Sequence, residues 1–91
     1  MRKTILVTAI GSFSSAAVIE KNKKENYRVL GCDIYPAQWI VASGEVEQFF
    51  QAPLATDRKA FCDFLEKICK EEHVDFVIPL TDVEVDALQE W

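Results

Sequence analysis

Two short apolar runs, separated by a segment of helical character, dominate the first third of the chain. The first run spans residues 5–8, and the second is the apolar centre of residues 27–34, a segment that also contains Arg28 and Asp33. Continuous apolar runs of this length are typical of strands that are buried on both faces. Between them, residues 16–19 predict the start of a helix, for which Ser14 or Ser15 is a suitable N-cap. A strand, a helix and a strand within about thirty residues indicate a right-handed parallel βαβ unit.

The second half of the chain continues the alternation. Residues 46–52 predict a weak edge strand, and residues 36–46 before it are ambiguous, with a short helix as one interpretation. A helix is predicted from Thr56 or Asp57, because apolar residues recur at i, i+3, i+4, i+7 and i+8. These residues are Phe61, Phe64, Leu65, Ile68 and Cys69.

Residues 74–80 predict a further buried strand, and Thr81 with Glu84 has the spacing of a capping box that starts a last helix. Strands that alternate with helices indicate an α/β class. We therefore predict a Rossmann-like parallel sheet of about four strands with helices on both faces.

We expect one domain that covers residues 1–91. The last apolar pattern, which ends at Trp91, reaches the final residue without a glycine or basic residue to cap it. On this pattern we expect the chain to be the front part of a longer protein.

Charge and composition exclude several classes of function. The chain carries ten basic and fifteen acidic residues, for a net charge of −5. Nucleic acid is therefore a poor candidate partner, and the cluster of Lys21, Lys23 and Lys24 is interpreted as solvated surface. The apolar residues after Lys3 are too few for a signal peptide or a membrane span, so we expect a cytoplasmic protein and no membrane partner.

The cysteines and the single histidine do not form a recognisable metal site. Cys32, Cys62 and Cys69 have no C-x-x-C spacing, so we expect three reduced packing residues. His73 lies among acidic residues after a predicted helix and is interpreted as a solvated helix-end residue.

Ligands of open parallel sheets bind outside the carboxyl ends of the strands. The candidate loops here are residues 11–15, 33–36 and 79–84, and we expect them to lie side by side.

The first of these loops retains little of a dinucleotide fingerprint. The three glycine positions of that fingerprint are occupied by Ala9, Gly11 and Ser14, so only the glycine for close approach remains. The serines either bind an anion at the helix N-terminus or cap the helix. Asp33, 22 residues after Gly11, either binds a ribose or caps the turn that follows it.

Two acidic residues of the last loop, Asp82 and Glu84, are further ligand candidates, although a role at the helix start suffices to explain them. Trp39 and Trp91 are interpreted as packing or interface residues, because no basic groove accompanies them.

Three segments together resemble a known family. They are ILVTAIG at residues 5–11, YRVLGCDIYP at residues 27–36 and VDFVIPLTDVE at residues 74–84, of which I-P-x-T-D-x-E is the most specific. In this order and spacing they resemble the N-terminal Rossmann-like pre-ATP-grasp domain of ATP-grasp ligases, particularly the carbamoyl-phosphate-synthase large-subunit-like proteins.

The resemblance implies an enzyme that uses ATP and magnesium to activate a small-molecule carboxylate as an acyl phosphate, which an amine then attacks. A downstream ATP-grasp domain in cis would hold the ATP and magnesium, and this chain alone would have no catalytic residue, metal ligand or cofactor. It would supply one wall of the substrate cleft. The matching substrate-binding positions are Gly11, Ser12, Asp33, Asp82 and Glu84.

Two other functions stay open at this point. The V-T-x-x-x-x-F pattern of Val7, Thr8 and Phe13 also resembles the first loop of NAD(P)-dependent epimerases and dehydrogenases. The third function is a non-catalytic interaction module whose contact surface consists of Trp39, Phe49 and Phe50. The residues do not decide whether exposed sheet edges pair in a homodimer.

Overall fold

The computed structural model describes residues 2–89. Its strands form one parallel sheet in the order β3-β2-β1-β4. The strands are β1 (Thr4–Val7), β2 (Arg28–Asp33), β3 (Gln48–Gln51) and β4 (Phe76–Ile78). The α-helices are α1 (Ser15–Lys24), α2 (Arg58–Glu71) and α3 (Asp82–Leu88), and two 3₁₀ helices, Ala37–Trp39 and Val41–Glu45, connect β2 to β3. The predicted α/β Rossmann-like fold is confirmed.

Successive side chains of β1 point to opposite faces of the sheet, as the period of a strand requires. Ile5 and Val7 pack with Ile19 of α1 in one hydrophobic cluster. Leu6 packs on the other face with Phe61, among the residues of α2 and α3. The sheet is therefore covered by helices on both faces, as predicted.

Helix α2 begins where the sequence predicts. Asp57 occupies its N-cap, and the Asp57 carboxylate accepts a hydrogen bond from the backbone N–H of Ala60 at 3.4 Å. The buried centre of its apolar face consists of Phe61, Leu65 and Ile68. Phe64 and Cys69, at the margins of the same face, are half-buried.

The predicted burial of β4 is wrong. β4 lies at one edge of the sheet and pairs only with β1, and the Phe76 side chain is 53% exposed. An apolar run indicates a strand but not the position of that strand in the sheet, and an edge strand leaves one side uncovered. β3 forms the opposite edge, as predicted.

The predicted N-cap residue of α1 is confirmed, but the capping hydrogen bond expected of a serine is absent. Ser14 occupies the N-cap position, but its side chain makes no capping hydrogen bond. The backbone of Ser14 has φ −88° and ψ −4°, whereas a capping side chain requires an extended backbone. The chain enters α1 through consecutive turns, in which Ser12 N–H bonds to Ala9 O and Ser15 N–H bonds to Ser12 O.

The basic cluster of α1 and His73 lie on the surface, as predicted. Lys21, Lys23, Lys24 and His73 are exposed, and the three cysteines are free thiols. Residues 2–89 contain no group of three or more His, Cys, Asp or Glu side chains that is placed to hold a metal ion. Trp91 lies outside the described residues.

No helix within residues 2–89 has the length and apolar character needed to cross a membrane.

The fold predicts that the same substitution at two phenylalanines lowers the free energy of unfolding strongly at one position and hardly at the other. Phe61→Ala empties a fully buried position and should lower the free energy of unfolding by about 3–5 kcal/mol. Phe13→Ala is the matched control, because the Phe13 side chain is fully exposed and its loss should change that free energy by no more than about 0.5 kcal/mol. Urea unfolding followed by circular dichroism measures both, and equal losses would contradict the packing of α2 on the sheet.

Candidate functional site

The loops after all four strands surround one cavity of about 450 Å³, here named the strand-end cavity. The three loops predicted to converge lie side by side around it, and the loop after β3 completes the wall. Its lining residues are Ala9, Gly11, Ser12, Asp33, Ile34, Tyr35, Ile40, Leu54, Ala55, Thr56, Thr81, Val83 and Glu84. Four of the five predicted binding residues are in this set. Asp82 is not: it is exposed in the first turn of α3.

Asp33 is held at the end of β2 by two backbone amides. The N–H of Gly11 donates to Asp33 Oδ2 at 2.8 Å, and the N–H of Tyr35 donates to Asp33 Oδ1 at 3.1 Å. The side chain is only 8% exposed. Two amide donors stabilise the buried carboxylate. Asp33 thus caps the turn after β2, which was one of its two predicted roles, and also joins that turn to the loop after β1.

Gly11 is required by the close approach of this carboxylate. A Cβ atom at residue 11 would lie 3.0 Å from Asp33 Oδ2 and 2.9 Å from Ile40 Cδ1. The fingerprint predicts a glycine here for the approach of a pyrophosphate. In this chain the group that approaches is part of the protein itself.

Ala9 preserves the shape of the loop without its first glycine. Its φ of 51° lies in the left-handed region, which a glycine would adopt at no steric cost. The N–H of Ile10 then bonds to Cys32 O at 3.1 Å, which keeps the loop against β2. The chain therefore makes this turn with an alanine at the position where the fingerprint has a glycine.

Glu84 lies beneath the cavity, bonded to Thr8. The Thr8 hydroxyl donates to Glu84 Oε1 at 2.6 Å; Thr8 is fully buried and Glu84 is 7% exposed. The predicted capping box is only half formed. Thr81 Oγ1 accepts from the N–H of Glu84 at 3.4 Å, but the Glu84 side chain bonds to Thr8, so its carboxylate does not close the box.

Thr8 is a site residue that the sequence analysis missed. It follows β1 and continues the sheet, because its N–H bonds to Ile78 O at 3.1 Å. The alternation along β1 places Thr8 on the same face as Leu6, towards α3. A hydroxyl buried on that face needs a hydrogen-bond partner, although this requirement does not identify the partner as Glu84.

Ser12 contributes an unsatisfied hydroxyl to the cavity wall. Within residues 2–89, Ser12 Oγ is the one fully enclosed side-chain polar atom that lacks a hydrogen-bond partner. Buried hydroxyls ordinarily have such a partner in folded proteins. This oxygen is thus left unsatisfied by the described residues, and its enclosure keeps it from direct contact with a bound molecule.

A larger groove of about 880 Å³ runs beside α1 and is here named the α1 groove. Its exposed apolar residues are Phe13, Trp39 and Val41. Lys23 and Glu45 face each other across it, 3.6 Å apart. The predicted contact surface of Trp39, Phe49 and Phe50 is wrong, because Phe49 and Phe50 are consecutive in β3 and pack into the two opposite hydrophobic clusters.

The cavity geometry predicts different effects of alanine at two glycines. Gly11→Ala should lower the free energy of unfolding by about 1–3 kcal/mol, since Ile40 and Asp33 must move away from the new methyl group. Gly44→Ala is the control, because its methyl group would meet no atom within 4 Å, and neither glycine has a positive φ. Urea unfolding measures both free energies. If Gly11→Ala leaves the free energy of unfolding unchanged, the tight packing of residue 11 against Asp33 and Ile40 is contradicted.

Cys32, fully buried next to the site, predicts a loss of stability at alkaline pH. Burial raises the pKa of the Cys32 thiol, and the charges of Glu84 and Asp33 raise it further. Above pH about 8.5 the unfolded thiol loses its proton while the folded one keeps it, so the free energy of unfolding falls as pH rises, by up to about 1.4 kcal/mol per unit. Unfolding measured at pH 8 and pH 10 should show this fall. The same measurement on Cys32→Ala should show a smaller fall, and an equal fall would contradict the assignment to Cys32.

The sequence was compared with known proteins. No curated protein sequence matches it significantly. A family model described as PylC-like, N-terminal domain matches residues 5–91, which include every residue of the strand-end cavity. The match identifies an ATP-grasp-associated domain and does not single out the carbamoyl-phosphate synthases. The chain therefore belongs to the PylC-like N-terminal domain family, whose members are pre-ATP-grasp domains.

Proposed function

We propose that this chain is the N-terminal domain of an ATP-dependent carboxylate–amine ligase, and that its strand-end cavity forms one wall of the substrate cleft. The family match supports the ATP-grasp context and implies an ATP-grasp region downstream in cis. Within the domain, the proposed contribution of the cavity is to bind and orient a small substrate.

One hydrogen bond carries this proposal. In a dinucleotide-binding loop, the amide at the position of Gly11 approaches the pyrophosphate. Here the Gly11 N–H donates to Asp33 at 2.8 Å, and Asp33 in turn uses both carboxylate oxygens for backbone amides. The amide that would receive a phosphate and the carboxylate that would receive a ribose are thus bonded to each other. The loop functions as scaffold for the cavity.

The residues of the cavity do not fit ATP phosphates or magnesium. None of the lining residues is Lys, Arg or His, so no cation would balance the charge of phosphates. Asp33 has both oxygens engaged, which leaves too few free carboxylate oxygens for a magnesium site. We therefore assign the binding of both groups to the downstream region.

The two alternatives are less well supported. A NAD(P) site would need the Gly11 amide and the Asp33 carboxylate free for the ligand. An interaction module would need a continuous contact surface, and the aromatic residues first considered for it are divided between the two faces of the sheet. The α1 groove is the remaining candidate for such a surface.

Titration calorimetry of this chain with magnesium-ATP and with NADPH tests the proposal, with circular dichroism as the control for folding. We expect no binding of either ligand, because the Gly11 amide is occupied. Binding of NADPH with a micromolar Kd would overturn the proposal. In the longer protein that the proposal requires, ADP release should depend on both a carboxylate and an amine, and release without either would count against a ligase.

A further inference from the structure

The strand-end cavity has an acidic base and apolar walls. Asp33 and Glu84 both contribute to its lining, and no Lys, Arg or His does. Its apolar lining consists largely of Ile34, Tyr35, Ile40, Leu54 and Val83. A bound anion would be repelled by both carboxylates, whereas a cation would be attracted by them. The charge of the cavity therefore selects against a free carboxylate or phosphate.

The two carboxylates differ in what they offer to a ligand. Both oxygens of Asp33 accept hydrogen bonds from backbone amides. Glu84 uses Oε1 for the Thr8 hydroxyl, and its Oε2 accepts no hydrogen bond from residues 2–89. This oxygen is also not fully enclosed, because Ser12 Oγ is the one enclosed side-chain polar atom without a partner in that part of the chain. Glu84 Oε2 is thus the carboxylate oxygen of the cavity lining that has no hydrogen-bond partner among residues 2–89.

The burial of Glu84 makes an oxygen without a hydrogen-bond partner energetically costly. Glu84 is only 7% exposed, and the Thr8 hydroxyl is the one side chain that forms a hydrogen bond with its carboxylate among the described residues. A buried carboxylate is costly unless charged or multiple donors compensate for its lost hydration. A ligand that brings a positively charged N–H donor to Oε2 would supply that compensation.

The chemistry of the site favours an ammonium group over a metal ion. Divalent cations take six or more oxygen ligands, and residues 2–89 hold no cluster of three metal-ligating side chains. An ammonium group needs few acceptors and leaves its alkyl chain to the apolar walls. A volume of about 450 Å³ is suited to a small organic molecule.

We propose that the strand-end cavity binds a small aliphatic molecule through a primary ammonium group, which donates to Glu84 Oε2. The domain would then recognise the ammonium-bearing substrate of the ligation, and the free carboxylate would be bound elsewhere. Naming the ligand a ligase substrate rests on the proposed function, whereas the ammonium specificity of the cavity does not.

Binding of three probes of equal length to the folded chain tests the inference. The probes are pentylammonium, 1-pentanol and pentanoate, followed by backbone amide NMR shifts. Pentylammonium should shift the amides of Gly11, Ser12 and Glu84 saturably. We expect 1-pentanol to bind about tenfold more weakly, because it lacks the charge-assisted hydrogen bond, and pentanoate to leave these amides unchanged.

Two variants on the same helix locate the ammonium group. Glu84→Gln keeps the size of the side chain and an acceptor for Thr8, and should weaken pentylammonium binding about tenfold. Asp82→Asn removes a charge from the exposed side of the same helical turn and should leave binding unchanged. Equal losses in the two variants would indicate a general charge effect and overturn the assignment to Glu84.

Three further outcomes would overturn the inference. These are pentanoate binding as tightly as pentylammonium, unchanged affinity in Glu84→Gln, and displacement of pentylammonium by magnesium alone. If Glu84→Gln does not fold, the comparison of the three probes on the unaltered chain still decides. Ligation by the longer protein is a separate assay, so its absence alongside intact ammonium binding would refute the proposed function alone.

Discussion

The hydrogen bond from the Gly11 backbone N–H to the Asp33 carboxylate sets the geometry of everything at the carboxyl ends of the sheet. It joins the loops after β1 and β2, the two central strands. A Cβ atom at residue 11 would crowd Asp33 Oδ2 and Ile40 Cδ1, so the glycine has a structural reason that does not require a ligand. It also fixes a buried negative charge beside the cavity. The arrangement of a nucleotide-binding fold is thereby kept, while its phosphate-binding amide is used inside the protein.

Local patterns in the sequence were sufficient for the order and type of the elements. Residues that repeat with a period of two or 3.6 report which face of a strand or helix is buried, and the face of α2 that carries Phe61 and Leu65 was found in this way. The same patterns carry no information about neighbours in space. The apolar run that contains Phe76 correctly predicted a strand, but the prediction that this strand is buried was wrong. Whether a strand lies at the edge of a sheet depends on which strands pair, and the local sequence does not report this.

The contacts that define the site join residues far apart in the chain. Thr8 and Glu84 are 76 positions apart, and the local spacing of Thr81 and Glu84 favoured a capping box instead. The Glu84 carboxylate bonds to Thr8 rather than closing the capping box. An unsatisfied buried hydroxyl costs more free energy than a helix end whose backbone N–H can bond to water. Ala9 is a comparable case. Its left-handed backbone is held by the bonds of the loop to β2, which no local propensity indicates.

The two carboxylates of the cavity show how a site can be told from its scaffold. Asp33 occupies the position where a dinucleotide-binding fold would place its ribose ligand, yet both of its oxygens are satisfied by the backbone. Glu84 occupies a position that local sequence assigns to helix capping, yet it retains an oxygen that nothing in residues 2–89 satisfies. Hydrogen-bond satisfaction, rather than position in a motif, therefore separates the two roles. Applied to this chain, the criterion assigns Asp33 to the architecture and leaves Glu84 as the carboxylate that we propose for recognition.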